Sequence, residues 1–135
     1  MDITKIPFVK LLDIKQNKTL ELEFKEPFTN HLGSMHAGAL YTLAESQSGA
    51  FLQEHFSHIK NAMPILRGGE IKYKKEAKST ISAIATSNKE SLEKFENTLT
   101  KRGKALITIN VELYSNNELI ATAKFSWFVK ILYSI

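Results

Sequence analysis

The chain contains no cysteine, and its 135 residues include only three prolines and six glycines. Without cysteine, disulfide bonds and thiolate chemistry are both excluded. The sequence has no run of about 18 apolar residues, so it predicts no membrane span. The few glycines and prolines do not gather into a linker, and no repeat or low-complexity tract divides the chain. We therefore expect a single domain over residues 1–135.

The composition and the N-terminus predict a folded protein of the cytoplasm. Hydrophobic residues make up 43% of the chain and aromatic residues 10%. That content is enough to bury a core and is unlike a disordered chain. Residues 1–5 lack the basic and then apolar layout of a signal peptide. Together with the lack of cysteine, these features favour a cytoplasmic location.

The charge of the chain is moderately positive, with a formal net charge of +4. A positive excess is typical of proteins that bind nucleic acid, an anionic membrane or a phosphorylated small ligand. Here the basic residues alternate with acidic ones, and the nearest approach to a cluster is residues 72–75. Neither a recognition helix nor an aromatic and basic RNA motif is present. We expect no nucleic acid and no membrane as partners.

Alternation of apolar and polar residues predicts five strands. They cover residues 20–25, 65–76, 80–86, 105–113 and 119–129. Gly68 and Gly69 predict a bulge in the second strand. Asn116 and Asn117 predict a hairpin between the last two strands, because asparagine tolerates positive φ.

Two stretches have helical spacing of their apolar residues. Residues 36–56 predict a long helix with many small side chains, and residues 89–101 predict a surface helix with Gly103 as its stop. The order of elements predicts an α+β domain with a mostly antiparallel sheet around one long helix. Such a sheet leaves an exposed edge, so we expect pairing between subunits.

The start of the long helix has the features of a binding site for a carbonyl group. The backbone N–H groups of His36, Ala37 and Gly38 are the unpaired donors of this helix and lie at its positive end. Such donors can stabilise an oxyanion. Glu45 follows about two and a half turns later, with Gly38 and Gly49 on the same helical face. We interpret the two glycines as the walls of a vacant groove with a general base at its floor.

The pattern N-x-x-G-x-x-H-A-G-A-L-x-x-L-A-E over residues 30–45 resembles the HGG-type motif of hotdog-fold thioesterases. The resemblance is to the phenylacetyl-CoA and 4-hydroxybenzoyl-CoA thioesterase group. In that group a histidine-glycine-glycine turn opens the central helix, and an acidic residue follows nine positions after the histidine. His36 and Glu45 keep this spacing. The resemblance covers most of the chain and implies a hotdog fold, an antiparallel β-sheet wrapped around one long central α-helix.

The resemblance also implies an activity, namely hydrolysis of an acyl-CoA thioester to the free acid and CoA. No metal and no cofactor is expected, and the implied assembly is a homodimer or a dimer of dimers. Glu45 would act as nucleophile or as the base that activates water. The amide of Ala37 would polarise the thioester carbonyl, and Asn30 would orient the water or the thioester. In the family these groups meet across a subunit interface.

Further residues complete the expected site. His36 is a candidate catalytic residue, with capping of the helix as its structural alternative. The residues expected to bind the substrate are Gly38, Tyr41, Ser48 and Gly49. Ala37 stands where the family has its first glycine, and its extra methyl group is expected to narrow the pocket. Five basic residues could contact the phosphates of CoA: Arg67, Lys74, Lys75, Arg102 and Lys104.

Two other functions stay open. A hotdog dehydratase acting on a hydroxyacyl carrier protein would use His31 and Glu45, which are fourteen residues apart, but the proline-rich turn of that group is missing. A hotdog protein that binds acyl-CoA without turnover is the third reading. His55 and His58 beside Glu54 suggest a metal pair, but no third ligand has suitable spacing.

Overall fold

The computed structural model describes residues 1–133 and leaves the last two residues of the expected domain, Ser134 and Ile135, outside the described part. The helices are α1 (Pro7–Leu11), α2 (Ala37–Phe56) and α3 (Lys89–Arg102), with short 3-10 turns at Ile3–Lys5 and Glu26–Phe28. The strands are β1 (Lys15–Gln16), β2 (Leu20–Leu22), β3 (Ala62–Tyr73), β4 (Ile81–Thr86), β5 (Lys104–Ser115) and β6 (Glu118–Ile131). Nowhere in residues 1–133 is a helix long and apolar enough to cross a membrane.

Within residues 1–133 the strands form one antiparallel sheet in the order β1-β2-β4-β5-β6-β3. The strands β5 and β6 are neighbours inside the sheet and form a hairpin, whose turn residues Asn116 and Asn117 have φ values of 51° and 63°. The predicted hairpin is therefore confirmed. The long helix α2 packs across one face of this sheet, which confirms the predicted α+β architecture.

The core lies between α2 and the inward-facing residues of the central strands. Those residues alternate along β5 and β6, as the period of two requires. On β6 they include Phe125 and Trp127, which are almost fully buried. The helix contributes mostly small side chains such as Ala39 and Ala44, so the sheet can curve closely around it. At the far end of α2, Phe56 packs on Phe95 of α3 with ring centroids 4.4 Å apart.

The strand β3 forms one edge of the sheet and carries an irregularity in its middle. Its register with β6 shifts between Leu66 and Gly68, which leaves Arg67 as the bulged residue. The strand therefore contains a bulge, but it lies one residue before the predicted position, and Gly68 and Gly69 are both paired with β6. Gly69 has no room for a side chain, because a Cβ atom there would overlap the Tyr41 hydroxyl and lie 2.8 Å from the Phe125 ring. The packing of α2 against β3 therefore depends on this glycine.

The structure differs from the sequence prediction mainly in its short elements. The strand expected over residues 20–25 ends at Leu22, and the chain then enters the 3-10 turn that contains Pro27. The helix α1 and the strand β1 were not predicted, because five and two residues are too short to display a period. The predicted helix 89–101 ends one residue later, where Gly103 adopts a left-handed φ of 74°.

Candidate functional site

The loop before α2 is organised by the side chain of Asn30. Its Oδ1 atom accepts hydrogen bonds from the backbone N–H groups of Leu32 (2.9 Å) and Ser34 (3.2 Å). Its amide nitrogen donates to Ser34 Oγ at 3.0 Å and points to the Met35 carbonyl at 3.5 Å. The Asn30 side chain is thus committed to the loop that presents the helix start. The expected role in orienting water or substrate stays a prediction.

His36 is the N-cap residue of α2. Its Nδ1 atom accepts a hydrogen bond of 2.8 Å from the backbone N–H of Gly38. Its own N–H donates to the Phe28 carbonyl at 2.8 Å, which ties the cap to the preceding turn. A ring nitrogen that accepts from a backbone amide carries no proton, so the Nε2 atom bears the hydrogen of the neutral ring. This arrangement supports the structural alternative for His36, capping of the helix.

Ala37 supplies the free donor at the helix start. The N–H of Gly38 donates to the His36 ring, and the N–H of His36 donates to the Phe28 carbonyl. The N–H of Ala37, between them, donates no hydrogen bond within residues 1–133. The Ala37 side chain is exposed, and its carbonyl accepts a hydrogen bond of 3.0 Å from Tyr73 Oη. An unpaired amide at the positive end of a helix is suited to a carbonyl oxygen that gains negative charge.

A cleft of about 290 Å³ opens beside this amide, and we call it the helix-start cleft. It lies between the loop that leads into α2 and the segment that follows β3. The two sides are held together by a 2.9 Å hydrogen bond from the Met35 N–H to the Ala77 carbonyl. The lining residues are Asn30, Leu32, Ser34, Met35, Ala37, Leu40, Tyr73, Lys74, Lys75, Glu76 and Ala77. Two predicted catalytic residues, Asn30 and Ala37, therefore share one cleft.

Glu45 lies outside that cleft, in the middle of α2. It is half-buried, and burial raises the pKa of its carboxyl group above the ordinary value. Among residues 1–133 its carboxylate has neither an ion-pair partner nor a hydrogen-bond donor. It lies eight positions after Ala37, which is about 12 Å along the helix axis. Within one chain, the carboxylate and the free amide are too far apart to act on one thioester.

The groove expected around Glu45 is not open on both sides. A Cβ atom on Gly49 would lie 3.3 Å from the ring of Trp127, so the indole fills the space below this glycine. The neighbouring Ser48 is fully buried and accepts a hydrogen bond of 2.9 Å from Trp127 Nε1. Gly49 and Ser48 serve core packing in this chain. The Trp127 ring therefore occupies the space at Gly49 that was expected to be vacant, and the expected binding of substrate by Ser48 and Gly49 stays a prediction.

Tyr41 lies one turn before Glu45 on the same stripe of α2. Its ring meets Phe125 edge-on at 5.3 Å between centroids, and its hydroxyl lies over Gly69 of β3. This stripe therefore faces β6 and the edge strand β3. Gly38 is exposed at the helix start next to the His36 ring. The expected binding of substrate by Tyr41 and Gly38 stays a prediction.

The remaining candidates are dispersed. His31 is exposed in the loop before α2. His55 bonds through Nδ1 to the Phe51 carbonyl at 3.0 Å, and His58 pairs with Glu96 of α3 at 2.5 Å. In the part of the chain that the structure describes, no three potential metal ligands come together.

One residue at the site was missed by sequence reasoning. The side chain of Tyr73 is exposed to about half of its area, and its hydroxyl donates a hydrogen bond to the Ala37 carbonyl. Burial raises the pKa of this hydroxyl. No local pattern signals the contact, because the two residues are 36 positions apart.

Comparison with known proteins supports the fold. The chain is similar to a solved Pseudomonas aeruginosa protein described as a probable thioesterase, with 27% identity, a TM-score of 0.79, and coverage of 95% of this chain and 90% of that one. It is similar to a candidate thioesterase from Shewanella oneidensis, with 18% identity, a TM-score of 0.79, and coverage of 96% and 91%. A Bacillus halodurans protein solved with CoA has 17% identity, a TM-score of 0.68, and coverage of 90% and 74%. No curated protein matches significantly.

These likenesses confirm the predicted hotdog fold, with its antiparallel sheet around the long helix α2. They also agree with the resemblance that the motif at residues 30–45 carries. The family model described as "Domain of unknown function (DUF4442)" matches residues 7–129. The chain therefore belongs to this family of thioesterase-like hotdog proteins.

Proposed function

We propose that the protein is an acyl-CoA thioesterase, which hydrolyses a thioester to a free acid and CoA. The observation that carries the proposal is the presence, on one helix, of a free amide at Ala37 and an unpartnered, half-buried carboxylate at Glu45. One structural neighbour is described as a probable thioesterase and another as a candidate thioesterase, and a third was solved with CoA. These neighbours support a CoA thioester as the substrate.

The chemistry needs one base and one oxyanion donor. The Glu45 carboxylate accepts a proton from water, and the resulting hydroxide attacks the thioester carbonyl carbon. The carbonyl oxygen gains negative charge and accepts a hydrogen bond from the Ala37 N–H. When the C–S bond breaks, the leaving thiolate takes the proton from Glu45. Direct attack by the Glu45 carboxylate, followed by hydrolysis of the anhydride, uses the same two groups.

The separation of these groups within one chain supports a site shared by two subunits. The outer side of β3 has no neighbouring strand within residues 1–133, and a long unpaired edge can pair with a second copy. Such an edge supports the expected homodimer. Whether two dimers associate further stays a prediction.

The course of α2 along β3 suggests how two copies are placed. The carbonyl of Ala37 meets Tyr73 at the end of β3, whereas Tyr41 lies over Gly69 in its middle. The helix and the strand therefore run in opposite directions, and Glu45 follows one turn beyond Tyr41. A two-fold axis near Gly69, relating two antiparallel β3 strands, would bring Glu45 of one subunit toward Ala37 of the other.

The first test is thiol release from a panel of short, long and aromatic acyl-CoAs. Glu45→Gln keeps the shape of the side chain and should lower kcat by about a hundredfold or more, as loss of a general base does. Glu54→Gln is the matched control, because Glu54 is an exposed carboxylate on the same helix. It should hydrolyse like the wild type.

The second test addresses the amide. Ala37→Pro removes the N–H at the first position of the helix, where proline is well tolerated, and adds the Cγ and Cδ atoms of the proline ring. The preceding residue, His36, already has the extended ψ of 137° that a following proline requires. We expect a loss of about a hundredfold or more in kcat with α2 intact.

A mixed dimer of Glu45→Gln and Ala37→Pro subunits then tests sharing of the site. If Glu45 and Ala37 meet across the interface, one of its two sites is wild type, and about half of the activity returns. A mixed dimer that stays inactive would place the site within one chain. Failure of the wild type to hydrolyse any thioester, with retained CoA binding, would favour the acyl-CoA-binding protein instead, and the hydroxyacyl dehydratase would be assayed next.

A further inference from the structure

We propose that Lys74 and Lys75 bind a phosphate on the thiol side of the substrate, at the rim of the helix-start cleft. This inference rests on the proposed thioesterase function and names the end of the substrate that the cleft receives. It assigns an anion-binding role to two of the five basic residues that the sequence left without one. CoA and an acyl carrier protein both present a phosphate at the end of a pantetheine arm, and this phosphate is the chemical group that the two lysines would bind.

The charges at the cleft support an anionic ligand. Lys74 and Lys75 both line the cleft, and their side chains are exposed. Lys74 makes no ion pair with any carboxylate of residues 1–133. Lys75 pairs with Glu118 at 3.4 Å, but both side chains are about 60% exposed, at 58% and 62%, so the pair is easily exchanged for a phosphate. Glu76 is the acidic residue in the lining, and its negative charge counteracts the attraction of the two lysines for an anion.

The segment that carries the lysines is fixed relative to the proposed oxyanion donor. The N–H groups of Lys74 and Lys75 both donate to the Ile120 carbonyl, at 2.8 and 3.2 Å. The preceding residue, Tyr73, bonds to the Ala37 carbonyl. The ammonium groups therefore extend from a backbone anchored beside the Ala37 amide. Long flexible side chains on such an anchor can reach a phosphate some distance from the thioester.

The polar rim is better suited to the thiol side of the substrate than to its acyl side. An acyl chain favours an apolar pocket, whereas CoA carries its phosphates at the end of the pantetheine arm. Lysine is a common ligand of phosphate as a point charge. The cleft floor near Ala37 would then hold the thioester end of the arm, and the lysines would hold its phosphate end.

The test compares three substrates with one acyl group, an acyl-CoA, an acyl-phosphopantetheine and an acyl-pantetheine. In Lys74→Gln we expect KM for acyl-CoA to rise about tenfold, the size of one lost charge-assisted contact, with kcat little changed. KM for acyl-pantetheine, which has no phosphate, should not change. Lys75→Gln should act in the same direction, and Glu76→Gln should lower KM for acyl-CoA.

Lys72→Gln is the matched control, because Lys72 is an exposed lysine of β3, two residues before Lys74, that does not line the cleft. It should leave all three KM values unchanged. An effect of Lys74→Gln on acyl-phosphopantetheine would assign the first phosphate, which a carrier protein also presents. An effect on acyl-CoA alone would assign the phosphates that only CoA has.

Two results would overturn the inference. One is an equal change in KM for acyl-CoA and acyl-pantetheine in Lys74→Gln, and the other is no change in either. Calorimetric titration with CoA and with pantetheine tests the phosphate site without hydrolysis, so failure of the phosphate site can be distinguished from failure of the proposed thioesterase function. A wild type that hydrolyses nothing would end the proposed function, whereas equal CoA affinity in the wild type and Lys74→Gln would end the phosphate site.

Discussion

Trp127 and Ser48 form a buried hydrogen bond of 2.9 Å, from the indole Nε1 to the serine Oγ. This bond joins the strand β6, which lies next to the edge strand β3, to the middle of α2. In Ser48→Ala the indole N–H would be buried without an acceptor. We expect the free energy of unfolding to fall by about 1–3 kcal/mol, the cost of one unsatisfied buried donor. Chemical denaturation of the purified variant measures this change.

Ser46→Ala is the control for this prediction. Ser46 is equally buried in α2, but its hydroxyl only donates back to the Thr42 carbonyl of the same helix. Its removal leaves no unpaired donor, and alanine favours the helix, so we expect a change of less than about 0.5 kcal/mol. Equal effects of the two variants would contradict the role of the Trp127 bond.

A second prediction concerns the two adjacent glycines of β3. Gly69→Ala would push a methyl group into the Phe125 ring and the Tyr41 hydroxyl, and we expect a loss of about 1–3 kcal/mol in stability from overpacking. A Cβ on Gly68 meets open space, so Gly68→Ala should be neutral or slightly stabilising. Thermal unfolding of the two variants side by side distinguishes them. Similar melting temperatures would show that the packing of α2 against β3 does not require a glycine at position 69.

A third prediction follows from the raised pKa of Glu45. Burial favours the protonated carboxyl group in the folded state, so its stabilising contribution is present at low pH and is lost as pH rises through the raised pKa. Glu45→Gln stays neutral at every pH. We therefore expect the variant to match the wild type in melting temperature near pH 4 and to exceed it at pH 7.

Thermal unfolding across this pH range checks the sign of the Glu45 effect. Glu54→Gln, which changes an exposed carboxylate, should show no such divergence from the wild type. A wild type that is more stable than Glu45→Gln at pH 7 would mean that the ionised carboxylate has a stabilising partner.

A fourth prediction tests the arrangement of two β3 strands. The chain has no cysteine, so a single new thiol can form a disulfide only with its copy. If the axis passes at Glu70, one residue from Gly69, the two copies of Glu70→Cys are directly opposite each other with Cα atoms about 4.5–5.5 Å apart, which is inside the roughly 4.4–6.8 Å that a disulfide spans. We expect mild oxidation to give a covalent dimer on a non-reducing gel.

Met63→Cys is the control on the same strand. Antiparallel pairing about Gly69 would separate the two copies of this residue by roughly 40 Å, given the rise of a strand. No covalent dimer should form. A cross-link through residue 63 but not residue 70 would move the axis to the other end of β3.

The long strands were predictable because their alternation of apolar and polar residues repeats often enough to be recognised. The alternation along β5 and β6 repeats several times, so this pattern exceeds chance. The helix α1 was not predictable for the opposite reason. It is one turn long, buries Val9 alone, and leaves Phe8 and Leu11 exposed.

The site was predictable where it is local in sequence. The loop at Asn30, the cap at His36 and the free amide of Ala37 lie within eight residues, and the motif contains all three. The packing of Trp127 below Gly49 was not predictable, because the two positions are far apart in the chain and no short-range pattern links them. From the sequence, Gly49 suggested an open groove, whereas in the structure the indole of Trp127 fills this space.

The distance between Ala37 and Glu45 along α2 has a consequence for the behaviour of the protein in solution. If the two groups meet only between copies, a newly synthesised or diluted chain is folded but inert. Specific activity then rises with the concentration of the enzyme itself, because only associated chains possess a complete site. The expression level would then determine both the number of chains and the fraction of them that is associated and active.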